Sequence, residues 1–262
     1  MLSMYLDESL EPDEGYAVVA GFIGDDMAWN RCVLQWRIVL ALMGRTSLHM
    51  KTLRGWKDDR NRDLLRHLGL IPARSGLALV YASVKFSDYS DLVSGASIEI
   101  ISEGYLLSLF NVVAMTMAGL PEDERLEVIW EQQPVYSGVR ESMFSLAARM
   151  PDWKTPDGVP RLAKWSSKAK STILEPSDYA CYALLQRLRD PSSKKSSLCA
   201  PILGNPRQYG WHMTRDQIRT GLTEFREANS DAFNPMTREK KQEYRAAFKQ
   251  AYGAGNDRET NA

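Results

Sequence analysis

The residues of this chain best suited to chemistry are carboxylates placed where strands and helices begin or end. Asp7 and Glu8 close the apolar opening MLSMYLDESL, Glu131 closes LEVIWE, and Glu175 and Asp178 open EPSDYACYALLQR. A lone charge in a strand buried on both faces is expensive unless something compensates it. A divalent cation does so. Mg²⁺ and Mn²⁺ take hard oxygen ligands and keep positions open for phosphate and water. Two such ions activate the attacking water and stabilise the leaving oxygen of a phosphodiester. Asp7, Glu131 and Asp178, with Glu175 as a further ligand, are therefore the candidate metal ligands. Plainer duties suit the same acids: polar strand ends, and a first helical turn where the helix dipole favours negative charge and Pro176 fits an early position.

Strand geometry separates the first two acids. Side chains alternate across a strand, so Asp7 shares a face with Ser3 and Tyr5, and Glu8 with Met4 and Leu6. Asp7 is the expected ligand and Glu8 a peripheral candidate. His49, in the loop SLHMKTLRGWK beside Lys51 and Arg54, is a candidate for phosphate contact or proton transfer. A structural hydrogen bond is the plainer duty for it. The stretch RLAKWSSKAK sets Arg161, Lys164, Lys168 and Lys170 around Trp165, a composition that fits a phosphate backbone with an unstacked base, or a solvated loop with one core Trp.

Other chemistries lack their motifs. There is no nucleophile elbow, no phosphate-binding or dinucleotide Gly-rich loop, no C-x-x-C pair among the 3 cysteines, and no zinc spacing among the 3 histidines. Positive and negative formal charges balance at 33 each, which excludes wholesale electrostatic binding of nucleic acid; beyond residue 190 the chain is mildly basic, 12 Lys and Arg against 8 Asp and Glu. The longest apolar run, YLLSLFNVVAMTMAGL over Tyr105 to Leu120, falls short of the roughly 20 residues of a membrane span and reads as a core helix. The opening residues lack the features of a signal peptide, so a cytoplasmic protein that engages no membrane is expected.

To bring such acids together the chain must fold as a sheet. Period-2 patterning predicts strands near Leu2–Asp7, Tyr16–Ile23, Leu77–Val84, Leu126–Trp130 and Leu162–Ser166, the first two joined by the turn EPDEG into an antiparallel hairpin. Helical periodicity predicts Asp26–Met43, Trp56–Leu68, Ser97–Ala118, Tyr136–Met150 and Pro176–Leu188. The order implies an α/β fold: a five-stranded mixed sheet with helices on both faces, over residues 1–190. DPSSKKSS reads as a linker, followed by a helical C-terminal extension over 191–262, with helices at Thr214–Asn229 and Thr237–Ala251 and a frayed tail.

Together YLDES, the strand AVVAGFIG, the helix with Trp29 and Trp36, the loop LHMKTL, the strand VIWE and the helix start EPSDYACYALLQR resemble the domain-of-unknown-function 3800 family, over roughly residues 1–190. That family is similar to the ribonuclease H-like superfamily. The resemblance implies a carboxylate site for Mg²⁺ or Mn²⁺ with Asp7, Glu131 and Asp178 as its acids. It further implies a metal-dependent nuclease acting on DNA or RNA. A non-catalytic ribonuclease H-like binding module of a phage-related or mobile-element system is the alternative. Leu10 and Ser177 depart from the family's frequent Gly and Ala; neither removes a carboxylate.

Overall fold

The computed structural model describes residues 1–11, 15–53, 58–90, 92, 97–131, 154–159, 161–168 and 171–220. Strands β1 (Leu2–Glu11) and β2 (Tyr16–Gly24) form the antiparallel hairpin, paired from Ser3–Gly24 to Glu11–Tyr16. Gly21 makes that pairing possible beside the site, since a Cβ there would overlap the Tyr5 carbonyl. Helix α1 (Asp26–Leu42) starts where the Asp25 side chain accepts from the Ala28 amide at 2.7 Å and stops before Gly44, whose φ is 70°. A single 3-10 turn (Met50–Thr52) leads towards α2 (Asp59–Ser75). Then come β3 (Ala78–Lys85), a short α3 (Phe86–Ser90), α4 (Ser97–Gly119), β4 (Leu126–Glu131) and β5 (Leu162–Lys168). Helix α5 (Glu175–Arg189), α6 (Lys194–Leu203) and β6 (Gln208–Met213) follow.

The sheet order is β5-β4-β1-β2-β3-β6, with β1, β4 and β5 mutually parallel and β2 antiparallel to both neighbours. The five expected strands are present in a mixed sheet. A sixth is added, because β6 pairs parallel to β3 from Leu79–Gln208 to Val84–Met213. Residues beyond 190, expected as a helical extension after a linker, thus supply a strand as well as a helix. Ser193 begins α6 by accepting from the Ser196 amide at 3.1 Å. Asn205 then donates to the Leu77 carbonyl at 2.8 Å, fixing the chain as it enters β6. The 3-10 turn is also additional to the expected elements. The helices expected at Tyr136–Met150 and Thr237–Ala251 lie outside the described residues, as does Thr214–Asn229 beyond residue 220.

Alternation along the strands builds a core on each side of the sheet. Tyr5, Val18, Ala20 and Phe22 pack under α1, α2, α5 and α6 with Trp29, Trp36, Leu64 and Tyr179. Met4, Leu6, Val19 and Val80 pack under α4 with Leu109, Val112, Val113 and Met117. Among the described residues no helix is long and apolar enough to cross a membrane.

Candidate active site

The site begins where α5 crosses the end of β1. Ser177 Oγ donates to the Tyr5 carbonyl and Cys181 Sγ to the Asp7 carbonyl, each at 2.8 Å. One helical turn separates the two donors, so a single face of α5 is fastened to β1 across 172 and 174 residues of sequence. This docking sets the three acids Asp7, Glu8 and Asp178 around the Cys181 thiol. Burial pushes that thiol well above its ordinary range, and the charges of Asp7, Glu8 and then Asp178 push it further, with a bond to the Ala20 carbonyl opposing. Cys181 is thereby held protonated and is no nucleophile.

Asp7 lies on the α5 side of the sheet, as alternation requires: its cross-strand partner is Ala20, a member of that core. It is 6% exposed, and its Oδ1 accepts from the Glu8 amide at 2.9 Å. Pairing of β1 with β4 stops at Leu6–Trp130, so Glu8 and Ser9 emerge past the end of that neighbour. They form part of the wall of a cleft of about 300 Å³, together with Asp178 and Cys181. Glu8, the peripheral candidate, therefore borders the cleft, while the buried Asp7 is not among the residues that line it. Glu131 ends β4 one residue past the Leu6–Trp130 pair, at the sheet level of Asp7. The Glu131 side chain lies outside what is described.

Asp178 anchors the loop that carries His49. Its Oδ2 accepts from the Met50 amide and lies against His49 Nδ1, both at 2.9 Å. A carboxylate only accepts, so Nδ1 carries the proton and Nε2 is the acceptor of the neutral ring. Glu175 behaves differently. Its Oε2 accepts from Trp36 Nε1 at 2.8 Å and from the Leu48 amide at 3.0 Å, and the residue is 5% exposed. Expected as a metal ligand, it does not line the cleft, and its Oε2 is engaged by two buried N–H donors. Trp36 is the core residue expected of it, as is Trp29, whose indole donates to the Ser3 carbonyl at 2.9 Å.

The cleft's cations come from three elements: Lys51 of the 3-10 turn, Arg189 at the end of α5 and Lys195 at the start of α6. Of these, the sequence alone singles out Lys51, beside His49. Counting along α5 from Asp178 at helical spacing yields Tyr182, Leu185 and Arg189, all of which line the cleft, so the periodicity held the signal. Of the basic stretch that begins at Arg161, that residue is 4% exposed and donates to the Leu120, Pro121 and Glu124 carbonyls, a structural role. Lys164, Trp165, Lys168 and Lys170 have side chains outside what is described, and Arg54 lies outside the described residues. Among the described residues, no three His, Cys, Asp or Glu side chains are grouped so as to hold a metal ion.

Comparison of the chain with protein-family models, with curated proteins and with solved structures gives no match.

Proposed function

We propose that the protein hydrolyses phosphodiester bonds of nucleic acid, DNA or RNA, with a divalent ion held by Asp7, Asp178 and Glu131. The observation that carries this reading is the meeting of β1 and α5 acids around Cys181, from segments some 170 residues apart. The strand order β3-β2-β1-β4-β5 supports it, being the mixed arrangement that the resemblance to the domain-of-unknown-function 3800 and ribonuclease H-like proteins implies. The donor set suits Mg²⁺ or Mn²⁺, being carboxylate oxygen throughout. Asp178 meets both of its partners through Oδ2, which leaves Oδ1 as its ligand atom. A bound ion would polarise the phosphate and lower the pKa of the attacking water.

The chain's own residues have separate tasks. Asp7 and Asp178 supply negative charge from two directions, and Glu131 would complete the set at the level of Asp7. Glu8 borders the cleft. His49, held by Asp178, presents Nε2 to accept a proton from water. Lys51, Arg189 and Lys195 orient phosphates along the cleft wall. Glu175 holds the loop to which His49 belongs and takes no ligand role.

One observation favours the non-catalytic binding module as the second reading: the described acids alone do not compose a metal site. Calorimetric titration separates the two. The wild type is expected to take up Mg²⁺ or Mn²⁺ at millimolar concentration and Asp7→Asn to lose that uptake. Absence of any heat up to about 10 mM would favour the binding module.

A further inference from the structure

The outward face of α1 is apolar. Met27, Leu34, Ile38 and Leu42 are 65%, 62%, 50% and 77% exposed, while the opposite face of the same helix buries Ala28, Trp29, Cys32, Trp36 and Leu40. A surface helix ordinarily turns a polar side to water. At 100° per residue the four exposed side chains fall within a sector of about 80° and run for about 22 Å along the axis. Nine large apolar side chains are exposed among the described residues, and four of them form this one stripe.

We propose that the stripe is a self-association surface, on which α1 packs against α1 of a second copy in an antiparallel, two-fold symmetric contact. Such a contact needs a patch complementary to itself. The charges bordering the stripe have that property. Asp26 in the first turn and Arg37 towards the far end are both exposed and project within about 20° of each other, on one border. In an antiparallel helix pair, each border faces the same border of the other helix. Acid then meets base twice. A parallel pair would instead set each border against the opposite border of the other helix, so that Asp26 and Arg37 would not face each other.

The apolar residues accept the same arrangement. With the two-fold axis near the level of Val33, Met27 falls between Ile38 and Leu42 of the second copy and the two Leu34 side chains meet. Asp26 then lies within one helical turn of Arg37 of the second copy. Arg31 does not oppose this: its guanidinium bonds the Ser75 carbonyl at 3.0 Å, leaving its aliphatic stem on the stripe. The stripe offers less than the roughly 800 Å² per partner of a standard interface, so association is expected in the micromolar range. The inference is independent of the reading of the cleft.

Sedimentation equilibrium of the full chain, from micromolar to several hundred micromolar, tests it. The wild type dimerises. Leu34→Glu places a charge at the centre and weakens the dimer about tenfold or more, while circular dichroism shows an unchanged fold. Asp26→Arg and Arg37→Asp each weaken it, and the two together restore it to within a few fold. A chain that stays monomeric throughout, or a Leu34→Glu dimer of unchanged strength, overturns the proposal. A dimer sensitive to Leu34 but not rescued by the double exchange overturns the antiparallel α1 pairing.

Discussion

Two carboxylates in the first turn of α5 invite comparison. Glu175 and Asp178 stand three residues apart, and each is hydrogen-bonded to the loop at residues 48–50. Glu175 is shut inside, bonded by a core indole and the Leu48 amide. Asp178 reaches the cleft, where its side chain stays 17% exposed and its partner is an imidazole. The same functional group is thus buried among donors at one position and borders the cleft at the other. What separates them is direction: Glu175 points towards α1, and Asp178 along the α5 face that crosses the end of β1.

Substitutions sharpen that contrast. The largest expected effect is on Asp178→Asn, whose nucleic-acid cleavage should fall about 10²-fold or more. Its stability should change by less than about 1 kcal/mol, because the pair with His49 is solvent-screened and an amide oxygen still accepts from Met50. Glu175→Ala should reverse the pattern. It leaves the Trp36 and Leu48 donors buried without an acceptor, at about 3 kcal/mol, and lowers the melting temperature by about 6–10 °C. Cleavage per folded molecule, measured well below that transition, should persist. Equal losses of activity in both variants would erase the distinction.

Smaller effects probe the surroundings of α5. Burial pushes the Cys32 and Cys199 thiols up to about 12, and Cys181 is raised by burial and by the adjacent acids. None should react with iodoacetamide at pH 8 until the chain unfolds, as mass spectrometry would show. The smallest effect belongs to the edge strand β6. His212, bonded to Ser83 Oγ at 3.1 Å and edge-on to Tyr16, has its imidazolium disfavoured chiefly by partial burial. Its contribution to stability is full above the ordinary histidine range near 6.5 and is lost as pH falls below it. Between pH 7.5 and 5.5 the wild type should lose slightly more melting temperature than His212→Asn.

The fold was legible where patterning is strong. Alternation in β1 and β2, the Asp25 cap and the Trp29–Trp36 spacing each follow from local rules, and the acids at the end of β1 stood out because charge is costly there. Strand β6 was not legible, being short, with Tyr209 and Trp211 both exposed, and positioned by the distant Asn205–Leu77 bond. The linker-like DPSSKKSS hid a cap, since Ser193 is one serine among several until its bond to Ser196 selects it. At the candidate site, residue type and spacing singled out Asp178, His49 and Glu175 alike, and could not tell that Glu175 is the buried one. Its burial depends on Trp36, 139 residues away. The cations Arg189 and Lys195 share the cleft only because α6 turns back over α5.

We propose above that acids of β1 and α5 act together on a phosphodiester through a divalent ion. Incubating labelled single- and double-stranded DNA and RNA with wild type and Asp7→Asn, each with Mg²⁺, with Mn²⁺ and with chelator, tests it most directly. Cleavage by the wild type that needs the ion and vanishes in a folded Asp7→Asn protein is the predicted result. Undiminished cleavage by Asp7→Asn, or no cleavage of any of these substrates by the wild type, would contradict it.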